Sequence, residues 1–307
     1  MSAPKEDLLW PRASAWLRPI ATAPNRDAAT FDLSLMGIPA HLTSISPTNA
    51  HTTPAAIRAA LARYSTFNWS IGQDVSSLSF ADFGDVVEPD SEAGEARTVS
   101  LATELAARSG LAIGLGGDNS VTFAMAKGVF GNTVDSAGLI TLDAHHDLRD
   151  GISNGSPVRR LVDEAGLDGR RIVQIGIADF SNSPAYAARA KELGIHVIAR
   201  SQLRNRPLAD VMAEAVAIAG SAGGPIHVDF DVDVCDRGAV PGCPAAAPGG
   251  LSADQFRQLA FEVGRYSQVK SVDFTEIDAS IDSADGRTVR LAALAILEVA
   301  AGRLSRI

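Results

Sequence analysis

Cysteine is scarce in this 307-residue chain: there are two. Two cysteines cannot build a disulfide framework, which points to an intracellular setting. Positive charge is also short. Lysine and arginine number 27 against 36 aspartates and glutamates, for a net charge of −9 and a pI near 5.1. Such an acidic field repels phosphate backbones and anionic lipid, so nucleic-acid and membrane-surface partners are not expected. Long apolar runs are missing. The most apolar late stretch, 291–301, is broken by Glu298 and is too short to cross a bilayer. The opening residues are acidic where a secretory signal needs a basic and then an apolar region. The chain is expected to be cytoplasmic. No fixed-period repeat and no low-complexity tract appears. With 46% hydrophobic and 21% charged residues, a mostly disordered chain is excluded.

What is present is an alternation of short apolar strands and helix-length segments. Strands are predicted at 31–37, 78–83, 111–115, 138–142, 171–176, 196–199, 226–230 and 269–275. Helices are predicted near 54–64, 92–109, 119–129, 157–166, 184–193, 207–219, 252–265 and 286–302. Runs such as LAIGL and GLITL are apolar throughout, as strands are when both faces are buried. An α/β architecture with a parallel sheet between helices follows. Nothing in the composition divides the chain, so residues 1–307 are read as one domain. The Pro- and Gly-rich stretch at 237–250 follows a strand directly, which suits a linker or an active-site loop at the carboxyl edge of the sheet.

Aspartate gathers where strands end. Asp143-Ala-His145-His146-Asp147 follows GLITL, and Asp229-Phe-Asp231-Val-Asp233-Val-Cys-Asp236 closes another strand. Gly116-Gly-Asp118-Asn119-Ser120 follows LAIGL. Alternate residues of an extended strand share a face, so Asp143, His145 and Asp147 are expected to point together, as are Asp229, Asp231 and Asp233. Two such sets side by side repel unless cations lie between them. Mixed carboxylate and imidazole donors suit Mn²⁺, with Zn²⁺, Fe²⁺ or Ni²⁺ as other options. Shared carboxylates suggest two ions roughly 3.5–4 Å apart. A single D-x-D is ordinary turn chemistry; two acidic clusters behind apolar strands are not. His41 and His51 fall in a loop, His196 opens a strand and His227 lies inside one, and these are read as surface or structural histidines.

These motifs resemble those of the ureohydrolase superfamily, which includes arginase, agmatinase and formimidoylglutamase. Ala81-Asp-Phe-Gly-Asp-Val86 resembles the family's early D-x-G-D element, GGDNS its G-G-D-H-S, DAHHD its D-A-H-x-D, and Asp231-Val-Asp233 with Asp236 its D-x-D-x-x-D. The resemblance implies a three-layer α/β/α domain around an eight-stranded, mainly parallel sheet. It implies a hydrolase of amidine or guanidine C–N bonds holding two Mn²⁺ ions. It makes Asp143 and Asp231 bridging ligands, with Asp147 completing one metal site and His145 and Asp233 the other. The remaining family ligand is a histidine, and here it is Asn119, a weaker donor, so that site is expected to be weak or empty. Asp147 takes the role of proton relay and Glu276 that of the group orienting the substrate amidinium. A homo-oligomer, a trimer or hexamer, is also implied.

Within the superfamily, Leu148-Arg149 followed by Asn154-Gly-Ser-Pro-Val-Arg159 resembles formimidoylglutamase, as does QIGIADFSNS at 174–183. Agmatinases carry a histidine at the position of Asn154. N-formimino-L-glutamate has two carboxylates, and Arg149 and Arg159 are the arginines that would pair with them, although a surface ion pair is the ordinary role of each. The expected reaction yields L-glutamate and formamide. A guanidino-acid hydrolase and a metal-poor, non-catalytic homologue remain as alternative readings.

Overall fold

The computed structural model describes residues 7–23 and 29–306. Its strands are β1 (Arg18–Pro19), β2 (Phe31–Ile38), β3 (Phe67–Asn68), β4 (Gln73–Asp74), β5 (Phe80–Asp85), β6 (Ser109–Gly116), β7 (Gly138–Leu142), β8 (Ile172–Ile177), β9 (His196–Ala199), β10 (Ile226–Asp231) and β11 (Val269–Thr275). The helices are α1 (Thr53–Ala60), α2 (Glu92–Arg108), α3 (Val121–Phe130), α4 (Pro157–Asp163), α5 (Pro184–Glu192), α6 (Leu208–Ala219), α7 (Ala253–Arg265) and α8 (Arg287–Leu304).

Side-chain alternation assigns the layers. In β2, Leu33 and Leu35 face a core shared with Ile57 of α1, Met212 of α6, Phe256 of α7 and Ile296 of α8. Met36 and Ile38 face the other way, onto Leu105 of α2 and Met125 of α3. In β7, Ile140 and Leu142 join the first core, while Leu139 meets Phe123 of α3, Leu161 of α4 and Ala190 of α5. Both faces of the sheet are therefore covered, and each buried Leu or Ile contributes about 1.5–3 kcal/mol. The apolar stretch 291–301 lies within α8 and packs into the first core. No helix among the described residues is long and apolar enough to cross a membrane.

The sheet order is β1-β5-β2-β6-β11-β10-β7-β8-β9, with every pairing parallel. This corrects the eight-stranded expectation to nine strands. The added strand, β1, is the dipeptide Arg18–Pro19 against Ala81 and Asp82 at the sheet edge, too short to show a period. The other expected strands are present with ends displaced by a residue or two, as strand and helix ends usually are. β3 and β4 form a separate antiparallel pair.

The order places β6, β11, β10 and β7 side by side. Because they run parallel, GGDNS, Glu276, the Asp231 cluster and the Asp143 cluster all leave the sheet at one edge. Close approach tightens the first of these turns. Gly117 donates to Ile38 O (3.0 Å), and Asp118 N donates to Ala40 O (3.0 Å). A Cβ on Gly117 would lie 1.9 Å from Ala40 O and 2.6 Å from Ala40 N. Those are backbone atoms and cannot swing aside. Gly117→Ala should therefore destabilise the protein by about 1–3 kcal/mol or more, read as a lowered thermal midpoint. An unchanged midpoint would mean that the turn relaxes freely.

Candidate metal centre

The two acidic clusters converge by turns. β7 stops at Leu142, and the Asp143 carboxylate accepts the His145 N–H at 2.6 Å, bending the chain. Asp147 then adopts φ 53°, a left-handed conformation that leaves extended geometry altogether. The expectation that Asp143, His145 and Asp147 align along one face of a strand is corrected accordingly. In the second cluster Asp231 ends β10 and caps a 3₁₀ turn, Val232–Val234, by accepting Asp233 N–H at 2.8 Å. Asp233 is thus outside the strand. Asp229 stays inside it, fully buried, with Thr275 Oγ1 3.3 Å from its Oδ1.

His145 ties the clusters together. Its Nδ1 is 2.7 Å from Asp233 Oδ2 and 3.5 Å from Asp143 Oδ1. The other oxygen of Asp233 accepts Ala144 N–H at 2.9 Å. Asp143, His145 and Asp233 each present a ligand atom within 4.8 Å of the others. Asn119 joins from GGDNS. Its Nδ2 donates to Asp147 Oδ2 at 2.6 Å, its N–H donates to Glu276 Oε1 at 2.8 Å, and its Oδ1 accepts from Thr122 and Thr275. Glu276 also accepts from Asn154 Nδ2 at 2.7 Å and holds φ 61°.

Burial sets the electrostatics. Asp143, Asp147, Asp231, Asp233 and Glu276 are all at most 7% exposed. Burial and the neighbouring Asp233 charge raise Asp143 to about 7. Burial and Asp118 raise Glu276 to about 8. Asp147 is pushed well up by burial and Asp143, and Asp231 by burial and Asp233. Burial works against charge on His145 as well, but its bonds to Asp143 and Asp233 outweigh this and raise it to about 12. On Asp233 the His145 contact overcomes burial and holds the carboxyl low. Arg160 is the single buried lysine or arginine among the described residues, and it is paired with Glu95 and Glu164. The Asp143 Oδ2 atom is buried without a hydrogen-bond partner. Clustered carboxylates, an imidazole and an unpartnered buried oxygen fit a divalent cation.

His145, Asp147, Asp231, Asp233 and Glu276 line a cavity of about 250 Å³, closed at its rim by Ile45, Ser46, Arg149, Asn154, Gly155 and Tyr186. The guanidinium of Arg149 is exposed there, and its stem lies over Gly155, where a Cβ would come 2.7 Å from Arg149 Cδ. Arg159 does not line the cavity. Its donors go to Arg149 O (2.7 Å), Gly151 O (2.7 Å) and Asp163 (3.1 Å), so it clamps the loop that carries Arg149. Direct substrate contact, expected of Arg159, has no counterpart in these contacts. A larger hollow of about 720 Å³, lined by Phe67, Trp69 and Leu297 among others, has its acids in local pairs, such as Glu298 with Arg257.

The profile of the arginase family matches residues 31–302. The chain belongs to the arginase family. It is 36% identical over 277 residues to a formimidoylglutamase from Halalkalibacterium halodurans, covering 88% of this chain and 86% of the relative. It is 32% identical to the formimidoylglutamase of Bacillus subtilis, with the same coverage. The crystal structure of formimidoylglutamase from Bacillus subtilis superposes with a TM-score of 0.90 at 28% identity, over 99% of this chain and 95% of that one.

In this arginase-family chain, residue pattern alone did not single out Gln174, Asn182, Thr122 or Thr275. Gln174 Oε1 lies 2.6 Å from His146 Nδ1, and Asn182 accepts His146 N–H while donating to Ala144 O. Together they turn His146 away from the cluster and leave His145 facing it. Gln174 and Asn182 lie in the QIGIADFSNS segment, so that similarity was their only trace. His227 is structural, fully buried between Ser271 and Asp273.

The raised carboxyls have a stability consequence. The folded protein binds protons at Asp143 and Glu276 more tightly than the unfolded chain, so its metal-free stability is greatest below their unfolded pKa values. That stability should decline as pH rises from about 4 through about 8. Cation binding needs Asp143 deprotonated, so stabilisation by added divalent cation should grow as pH rises from about 4 through about 7. Thermal midpoints of chelator-treated protein, with and without Mn²⁺, test this. A metal-free midpoint that climbs from pH ~5 to ~8 would contradict it.

Proposed function

We propose that this protein is a formimidoylglutamase, hydrolysing N-formimino-L-glutamate to L-glutamate and formamide with two Mn²⁺ ions. The observation that carries the reading is the joining of one carboxylate–imidazole cluster, the buried Asp143 and Asp233 with the half-buried His145, to a rim that presents Arg149. The resemblance to named formimidoylglutamases over most of the chain supports the substrate.

Asp143, Asp231, Asp147, Asn119, His145 and Asp233 are the residues that would hold the ions, Asp143 and Asp231 serving both. When bound, the ions make hydroxide available near neutral pH. Asp147 is the proton relay, passing a proton to the departing glutamate nitrogen. Glu276, held by Asn119 N–H and Asn154 Nδ2, accepts hydrogen bonds from the substrate amidinium and orients it. That contact favours the ionised form of Glu276 over the neutral one that burial favours. Arg149 pairs with a substrate carboxylate through a forked contact. Agmatine carries a cation instead and would gain nothing from it. We further read the chain as a single-domain, cytoplasmic homo-oligomer with a small-molecule substrate.

A substrate panel with added Mn²⁺, scoring formamide, urea and ammonia separately, tests the reading; urea from a guanidino acid, without formamide from formiminoglutamate, would replace it. Asp231→Ala should reduce turnover to background and lower the Mn²⁺ stoichiometry, since a bridging carboxylate supports both ions. Substantial residual activity would remove Asp231 from the ligand set. Arg149→Ala should cost about 2–4 kcal/mol in kcat/KM on formiminoglutamate, because a substrate anion loses its partner. The same change should cost little on a guanidino compound lacking that carboxylate, and Arg149→Lys should recover only part of the loss. Equal losses on both substrates would assign Arg149 a structural role.

A further inference from the structure

Asn119 is 1% exposed and has all its polar atoms engaged. Its Nδ2 faces Asp147 Oδ2 at 2.6 Å. Its Oδ1 accepts from Thr122 Oγ1 at 3.0 Å and from Thr275 Oγ1 at 2.8 Å. In this orientation the amide turns hydrogens toward Asp147, and a group presenting hydrogens has no lone pair for a cation. A half-turn about Cβ–Cγ exchanges the two ends. The oxygen then faces Asp147, and the amino group faces the two threonines.

That second orientation is satisfied by the same neighbours. An amide NH₂ has two hydrogens, and each threonine hydroxyl keeps lone pairs beside its own proton. Thr122 and Thr275 can each accept one N–H. The proton displaced on Thr275 has an acceptor within reach, Asp229 Oδ1 at 3.3 Å. The two hydroxyls come from different elements, α3 and the end of β11, and meet on one amide end. A carbonyl or an ammonium in either place would lock the amide one way; a hydroxyl serves as donor or acceptor.

We propose that Thr122 and Thr275 are positioning residues that allow the Asn119 amide two orientations, nitrogen to Asp147 in one and oxygen toward a divalent cation in the other. The inference rests on the reading of Asn119 as a metal ligand. It makes loading of that site conditional on breaking the Asn119–Asp147 hydrogen bond, and it gives both threonines an effect on metal affinity without any contact to metal or substrate.

Mn²⁺ titration of the chelator-stripped full chain by calorimetry reads this directly, as stoichiometry and as Kd of the weaker site. Thr122→Val and Thr275→Val keep the shape and remove the hydroxyl; the amide oxygen then keeps the other threonine's donor in the first orientation, but one N–H loses its acceptor in the cation-facing one, so each change should weaken that site about tenfold, while Thr275→Ser binds as the parent does. In an Asn119→Ala background, which should already have lost the site, Thr275→Val should cause no further change in the remaining one. A threonine that matters only for packing would weaken both backgrounds alike and overturn the proposal. If Asn119→Ala loses a site but both valine variants bind normally, the amide is oriented by other means and the proposal alone fails. If Asn119→Ala keeps both sites at parental affinity, Asn119 is not a ligand, and the ligand assignment fails with it. Because the threonines lie on separate elements, a folding defect in one valine variant leaves the other to carry the test.

Discussion

Mutual repulsion among buried carboxylates is the constraint around which this molecule is arranged. Asp143, Asp147, Asp231, Asp233 and Glu276 sit together out of water, and the His145 imidazole contacts Asp143 and Asp233 among them. Isolated carboxylates in such a place would take up protons or expel the fold toward solvent. Positive charge from a divalent cation satisfies the same oxygens without protons. The sheet supplies the frame: four neighbouring parallel strands end at one edge, and the turns that follow them bring their acids together.

Strain accompanies that convergence. Asp147 and Glu276 both hold left-handed backbone conformations, which cost roughly 1–3 kcal/mol apiece in non-glycine residues. Each is tied down by hydrogen bonds on both main chain and side chain. Arg159 N–H donates to Asp147 O, and Asn119 Nδ2 donates to its carboxylate. Glu276 N–H donates to Gly117 O, and its carboxylate accepts from Asn119 and Asn154. Asn119 therefore holds both strained residues, and the turn that carries it is packed tightly against Ala40, where a Cβ at 117 would meet backbone atoms.

The rim is built separately from the floor. The loop from Arg149 to Ser156 closes on itself through Arg149 N–H to Gly155 O, and the Arg159 guanidinium clamps it from α4. Asn154 links the two levels, accepting Ile45 N–H while donating to Glu276. Besides that link, the loop carrying Arg149 is held by its own hydrogen bonds and by α4.

Much of this was legible in residue order. Apolar runs such as GLITL give away strands buried on both faces, because no polar position interrupts them. The clusters DAHHD and DFDVDVCD, placed after such runs, give away a cation site, because that much unbalanced charge has no ordinary place at a strand end. Three things lay beyond the pattern. The neighbouring of β6, β11, β10 and β7 depends on crossovers that leave no local mark. The convergence of Asp143, His145, Asp147 and Asp233 comes from turns and a positive φ, where alternation along a strand had been expected. The separation of Arg149 from Arg159 is a matter of which backbone carbonyls lie within reach, since two arginines ten residues apart look alike until the one on α4 is found donating to the other's backbone. Local chemistry is written in local sequence; adjacency and hydrogen-bond partnership belong to the packed chain.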